Sequence, residues 1–245
     1  MSILSELQSR KIGLIELMSM GFEVYLKNLK PILLVFSTIY LPFLIIMLAV
    51  SFPIQNNPEG LSLVLLYLGL FVFWIVQSIY FIAISVITEN YVHGRNTSYQ
   101  SVVKKILASL VPLLFLGFRF GINYLLRGLL LIIPGIIYLI NNQYYGLAFI
   151  LRDQRGKAAF AYSRSIVKGN WWRVFFFGFL VLFIVFGLQT IFSKLLNIIP
   201  FINDFWVSLL SQTLPQFIVI GITIGSILLF LNLDFQINFQ KNLES

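Results

Sequence analysis

The chain has no cysteine, a single histidine and few charges: only 11% of its 245 residues are Asp, Glu, Lys or Arg. The missing cysteine excludes disulfides, thiolate metal sites and a cysteine nucleophile, and says nothing about compartment. The one histidine, His93 in the polar run NYVHGRN, has no Ser/His/Asp set, metal cluster or Gly-rich phosphate loop that could be built around it. No enzyme, resident metal or cofactor is therefore expected. The shortage of charge also excludes a soluble fold. Soluble domains are about a quarter charged. A soluble fold of this length cannot hide 59% hydrophobic residues behind a charged exterior.

Other features are missing too. No polar linker divides the chain, so residues 1–245 read as one membrane domain. No cleavable signal is evident: the first apolar run follows about thirty polar and amphipathic residues, and Ser51-Phe52-Pro53 is a poor cleavage site. No acid falls inside an apolar run. Glu6, Glu16, Glu23, Glu59, Glu89, Asp153, Asp204, Asp234 and Glu244 all lie in loops, termini or span ends. Cation-coupled transporters place acids near the bilayer midplane. A cation pathway is thus disfavoured, whereas a neutral or anionic ligand is not.

What is present is hydrocarbon-compatible length. A crossing takes about 20 apolar residues. Runs of that size lie near 31–50, 61–88, 106–126, 128–150, 171–196 and 205–233, separated by turn-rich or polar segments such as PIQNNPEG at 53–60. The expected fold is an all-α membrane protein of about six spans. It comprises an N-terminal interfacial helix (1–30), spans one to four (31–151), a basic amphipathic helix (152–170), spans five and six (171–233) and a tail (234–245). With the N-terminus inside, fourteen of the seventeen Lys and Arg fall on inner segments, and only Arg119, Arg127 and Lys194 fall on the outer half. The positive-inside rule then places both termini in the cytoplasm. The absence of an alternating strand pattern points to a bacterial inner membrane or its equivalent. The net charge of +8 lies in short segments between spans, which suits anionic inner-leaflet headgroups rather than nucleic acid.

Ile12 to Leu29, Tyr99 to Ile106 and Lys157 to Val167 share a pattern: apolar residues at helical spacing, Lys or Arg opposite, and a span directly after. This is how a helix in the membrane interface reads. It suggests three repeats of an interfacial helix followed by a helical hairpin. The alternative is that any loop entering a membrane looks basic and amphipathic.

Residues 130–173 carry a further likeness. The run Ile132-Ile133-Pro134-Gly135-Ile136, followed by AAFAYSRSIVKGNWWR at 158–173, resembles a bacterial membrane-domain family named after the glycerophosphoryl diester phosphodiesterases on which it was recognised. The resemblance covers about 45 residues. It implies a multi-helix membrane fold without the phosphodiesterase barrel, and it carries little function. After IPGI the family is small and apolar, whereas Tyr138 to Tyr145 here reads YLINNQYY.

Several polar residues are candidates for chemistry. Arg119, Asn123 and Arg127, four apart, form one stripe on a helix. Arg in hydrocarbon costs about 2.5–3.5 kcal/mol. The stripe is therefore either an outer-leaflet anion or lipid-phosphate clamp or a pair of guanidiniums snorkelling to outer headgroups. Arg152, Arg155, Lys157, Arg164, Lys168 and Arg173 are candidates to hold 152–173 flat on anionic lipid, with Ala158, Phe160, Ala161 and Ile166 dipping into the acyl boundary. Asn141, Asn142 and Gln143 cannot all face one side of a helix. Their amides need interhelical partners, for which Gln77, Gln189, Gln212 and Gln216 are available, or else a wet cavity. Gly117–Gly121 and Gly221–Gly225 are small-xxx-small patterns that permit close helix approach. Pro134 is expected to kink or break the fourth span, and Trp171-Trp172-Arg173 to anchor at an interface. Two functions remain open. One is a non-enzymatic scaffold, assembly or lipid-organising module, with membrane lipids and other membrane proteins as partners. The other is a small transporter or channel for a neutral, lipidic or anionic solute.

Overall fold

The computed structural model describes residues 2–56, 60–199, 201 and 203–244, with side chains described outside 50–63, 66, 130 and 238–244. Among the described residues every regular element is a helix, and five helices are long and apolar enough to cross a membrane.

Helix α1 (Ile3–Ser9) starts at Ser2, whose hydroxyl accepts the Ser5 N–H at 3.3 Å. Helix α2 (Leu14–Lys27) follows. After a bend at Asn28 come α3 (Leu29–Val35), a π-helical turn (Phe36–Tyr40) and α4 (Leu41–Asn56). The π turn inside the first apolar run has a local cause. Ser37 and Thr38 hydroxyls donate back to the Leu34 carbonyl, at 3.3 and 2.5 Å, which loosens the regular ladder. The expected break at 53–60 falls partly on 57–59, outside the described residues together with Glu59. The helix runs through Asn56 and resumes as α5 (Gly60–Val92). The Lys241 and Glu244 side chains also lie outside the described set.

Helix α6 (Tyr99–Leu130) corrects one expectation. Residues 99–106 are its first two turns, not a separate interfacial helix, because no breaker separates them from the apolar run. The Ser98 hydroxyl caps α6 by accepting the Ser101 N–H at 3.2 Å. The chain then stops at the extended Leu131, and Pro134 sits in the first turn of α7 (Ile132–Asn142), where a missing N–H costs nothing. Helix α8 (Tyr145–Arg152) continues in the same direction. The expected single span 128–150 is thus two helices, broken at Gln143–Tyr144.

Together α7 and α8 run back along α6. Gly135 lies against Gly128, the Tyr138 and Tyr145 rings stack on Phe120 at 5.5 and 5.0 Å, and Gly146 faces Leu113. Asp153, left-handed at φ 49°, and Gly156 at φ 55° reverse the chain into α9 (Lys157–Val167). Gly169 at φ 81° turns it again into α10 (Trp171–Asn197), and α11 (Asp204–Glu244) ends the fold.

Helix α11 is the hub, touching α1, α2, α4, α5, α9 and α10. Its closest neighbour is α2. A Cβ on Gly21 would stand 2.4 Å from the Gly221 carbonyl oxygen and 2.6 Å from the Gly225 nitrogen. The Gly221–Gly225 pattern therefore serves packing within the chain. In the other pattern, Gly117 makes room for the Trp74 ring, and Gly121 meets nothing within 4 Å. Helix α10 is peripheral, with only Val174, Phe177 and Leu196 buried. Its exposed side, with Phe176, Phe179, Leu182, Phe183 and Phe186, is a continuous apolar wall.

Candidate functional site

Polar side chains collect in three places, beginning with the end of the bundle where α8 stops. There the Arg152 guanidinium donates to Asp234 of α11 at 2.7 Å and to Glu89 of α5, and the Tyr162 hydroxyl donates to the other oxygen of Asp234. Asp234 is 1% exposed. Burial alone would lower the Arg152 pKa, but the two carboxylates outweigh it and the guanidinium is held above its usual value. Beside this triad, Asn232 ties down the N-terminal segment. Its amide donates to the Leu7 and Arg10 carbonyls at 2.8 and 2.9 Å, and its oxygen accepts from Arg173 at 2.8 Å and from the Ile12 N–H. Arg173 also donates to the Ile12 carbonyl. The Leu7 carbonyl, in the last turn of α1, and the carbonyl of its cap Arg10 thus gain a donor from α11.

These contacts draw two of the basic residues, Arg152 and Arg173, into the packing, whereas Arg164 is exposed and donates to the Asn142 oxygen at 3.1 Å. Lys157 and Lys168 are exposed, and Arg155 pairs with Asp153 at 3.3 Å on the surface. The face of α9 is corrected as well. Phe160 and Ile166 are buried in the protein, Phe160 on the Tyr145 ring, while Ala158 and Ala161 point outward. Glu89 lies in the last turn of α5, whereas Asp234 lies inside α11, which runs on to Glu244, and both sit within the packing. The signal in sequence was Asn232 and Asp234 interrupting ILLFLNLDF, since buried polar groups in an apolar helix need partners. His93 accepts a structural role: its Nδ1 lies 2.9 Å from the Glu89 carbonyl, and its ring packs edge-on against Phe235.

The second place lies between the π turn, α5, α10 and α11. Gln77, Gln189, Gln212 and Gln216 converge with Tyr40 of the π turn and Ser211 on a cavity of about 160 Å³. Gln77 also borders a second cavity of about 230 Å³ with Ser78, Gln143 and Tyr145. Both volumes have room for several waters. The three amides of the fourth span do not join this set as a group. Asn142 donates to Tyr138 O at 2.8 Å, the Asn141 carbonyl accepts from Ser163, and only Gln143 reaches the Gln77 side. The helix break at Gln143 resolves the conflict of three adjacent amides.

The third place is the surface. An open groove of about 1040 Å³ runs between α2 and α10, lined by Gly13, Leu14, Ile15, Ser19, Phe176, Phe179, Leu180 and Phe183, with Glu16 at its edge. Arg10 hydrogen-bonds Glu16, and chiefly that bond holds the carboxyl below its ordinary range against the opposing effect of desolvation. On another side, Arg119 and Arg155 line a pocket of about 350 Å³. Arg119 lies over the Phe160 ring at 5.7 Å. It therefore reaches toward α9. Arg127 lies over Tyr138 at 4.0 Å, and Asn123 donates to the Arg119 carbonyl, so the Arg119–Asn123–Arg127 stripe does not act as one clamp. A comparison with known protein families, characterised proteins and solved structures finds no match to this chain.

Proposed function

We propose that the chain is a non-enzymatic, multi-pass module of a bacterial inner membrane that organises lipid at its surface. The observation that carries this reading is the groove between α2 and α10. It is almost wholly apolar, opens beside the aromatic wall of α10, and has a charged rim at Arg10 and Glu16. An acyl chain has the chemistry to fill it. The topology we propose has six crossings: α3–α4, α5, α6, the broken α7–α8, α10 and α11. The antiparallel return of α7–α8 along α6 supports the sixth. Both termini, α9 and the Arg152 layer lie on the cytoplasmic side, in keeping with the charge bias. Trp171 and Trp172 mark that interface. The likeness of 130–173 to the phosphodiesterase-associated membrane family agrees with a multi-helix module lacking a catalytic barrel. A repeat of an interfacial helix followed by a helical hairpin stays part of this proposal at two of its three places, α2 and α9, which precede spans as separate helices.

The test is purification from native membranes in mild detergent, with mass spectrometry of bound lipids and proteins. Phospholipid at constant stoichiometry is expected, with the equivalent held in the groove lost in Ile15→Trp or Leu180→Trp variants that fill it. A stoichiometric protein partner without lipid would favour an assembly subunit instead. A second reading, a pathway for a small neutral solute, is favoured by the two cavities that share Gln77. Solute-dependent swelling of proteoliposomes, abolished by Gln77→Leu, would select it.

A further inference from the structure

We infer that the pocket between α6 and the α8–α9 turn is a phosphate-binding site that takes a phospholipid headgroup. The inference goes beyond the lipid groove, with which this pocket shares no residue. Two guanidiniums from distant parts of the sequence, Arg119 and Arg155, line one recess of about 350 Å³ whose walls include Phe115 and Phe149. Among the described residues Arg119 forms no ion pair, and its only charge-related contact is the Phe160 ring. Arg155 meets Asp153 at 3.3 Å, but that pair is 79% and 73% exposed and holds little in water. Two like charges facing one pocket repel, and an anion between them removes the repulsion while accepting paired N–H donors.

The surroundings say which anion. Arg119 interrupts an exposed apolar stripe on α6 formed by Leu107, Val111, Phe115, Phe118 and Ile122. A guanidinium on such a stripe is costly in hydrocarbon unless it has a partner there. A phosphodiester with two acyl tails fits both features, the phosphate between the arginines and the tails along Phe115 and Phe118. Pro112, inside α6 at the pocket wall, has no N–H for the Ala108 carbonyl, leaving that oxygen open to a headgroup hydroxyl. The reversal at Asp153 and Gly156 brings Arg155 to the pocket, and Gly156 itself lines it.

The experiment uses the delipidated full-length protein in detergent and native mass spectrometry with three probes: dioleoyl phosphatidylglycerol, dioleoylglycerol and inorganic phosphate. Phosphatidylglycerol is expected to bind at least about tenfold more tightly than dioleoylglycerol, and Arg119→Gln and Arg155→Gln each to weaken it by about tenfold. Arg127→Gln, outside the pocket, is expected to leave it unchanged. Competition by inorganic phosphate at equal concentration would support the site and assign it to a free anion. Arg119→Lys, which keeps the charge and the helix, should fall between wild type and Arg119→Gln with an unchanged thermal midpoint, separating binding from folding. The inference is overturned if both glutamine variants bind like wild type, if Arg127→Gln loses as much, or if dioleoylglycerol binds equally well. A groove-filling Ile15→Trp variant leaves this binding intact, so failure here is distinguishable from failure of the lipid groove.

Discussion

Replacing Arg152 by methionine keeps most of the side-chain volume and removes the charge that holds the end of the bundle together. In the native fold its guanidinium joins α8 to Glu89 of α5 and Asp234 of α11. The Asp234 side chain is 2% exposed, against 19% for Arg152 and 20% for Glu89. Removing one partner of a buried pair leaves an uncompensated charge and costs about 3–5 kcal/mol. Because Arg152 and Glu89 keep some access to solvent, the lower end applies, about 3 kcal/mol. Tyr162→Phe removes only one neutral donor to Asp234 and should cost about 1 kcal/mol. Glu89→Gln should fall between, since Asp234 still neutralises Arg152. The assay is reversible unfolding in mixed micelles at fixed detergent, followed by far-UV circular dichroism. A loss below about 1 kcal/mol for Arg152→Met would refute the argument, because a solvated surface pair costs no more than that. A double-mutant cycle between Arg152 and Asp234 should return a coupling above about 1 kcal/mol, as contacting residues do.

Other perturbations test the packing. Gly21→Ala puts a methyl group 2.4 Å from backbone of α11 and should destabilise by about 1–3 kcal/mol, whereas Gly121→Ala, in open space, should be neutral or stabilising in the same unfolding assay. Asn232→Leu strips the Leu7 and Arg10 carbonyls of their donor and should free α1, seen as faster proteolysis near residues 3–12 with the rest of the chain resistant. The Arg10–Glu16 pair has a definite pH sense. Glu16 has its pKa lowered in the fold, chiefly by the hydrogen bond from Arg10. Its contribution is complete above the ordinary carboxylate range and lost as pH falls through the lowered value. An NMR titration of Glu16 should move upward in Arg10→Gln, and no movement would contradict the pairing.

Much of the helical plan was legible because hydrocarbon length is written directly in the sequence. Long apolar runs produced α5, α6, α10 and α11 near the expected places. The π turn at 36–40 was not foreseen, since Ser37 and Thr38 are common in apolar helices and only their geometry loosens the ladder. The break at Gln143 was half legible. The three amides announced a conflict, and interrupting the helix resolves it, but periodicity alone also allowed partners on other helices. Residues 99–106 and 157–167 carry the same amphipathic pattern, yet one is an uninterrupted part of α6 and the other a separate helix packed on protein. The difference lies in Gly169, at φ 81°, which turns the chain between α9 and α10 and has no counterpart after residue 106 in α6. Of the site residues, the glutamines were identified and largely converge. The inward contacts of Arg152 and Arg173 were not legible, because charge predicts an aqueous side, not whether a buried Asp234 or Asn232 waits nearby.

The proposed placement of the Arg152 layer and α9 at the inner face of a membrane crossed six times is open to a direct test. The absence of native cysteine makes single-site labelling clean. In intact cells, an impermeant maleimide should leave Gln154→Cys unreacted until lysis and should label Asn203→Cys from outside. Labelling of Gln154→Cys in intact cells, with Asn203→Cys protected, would contradict it.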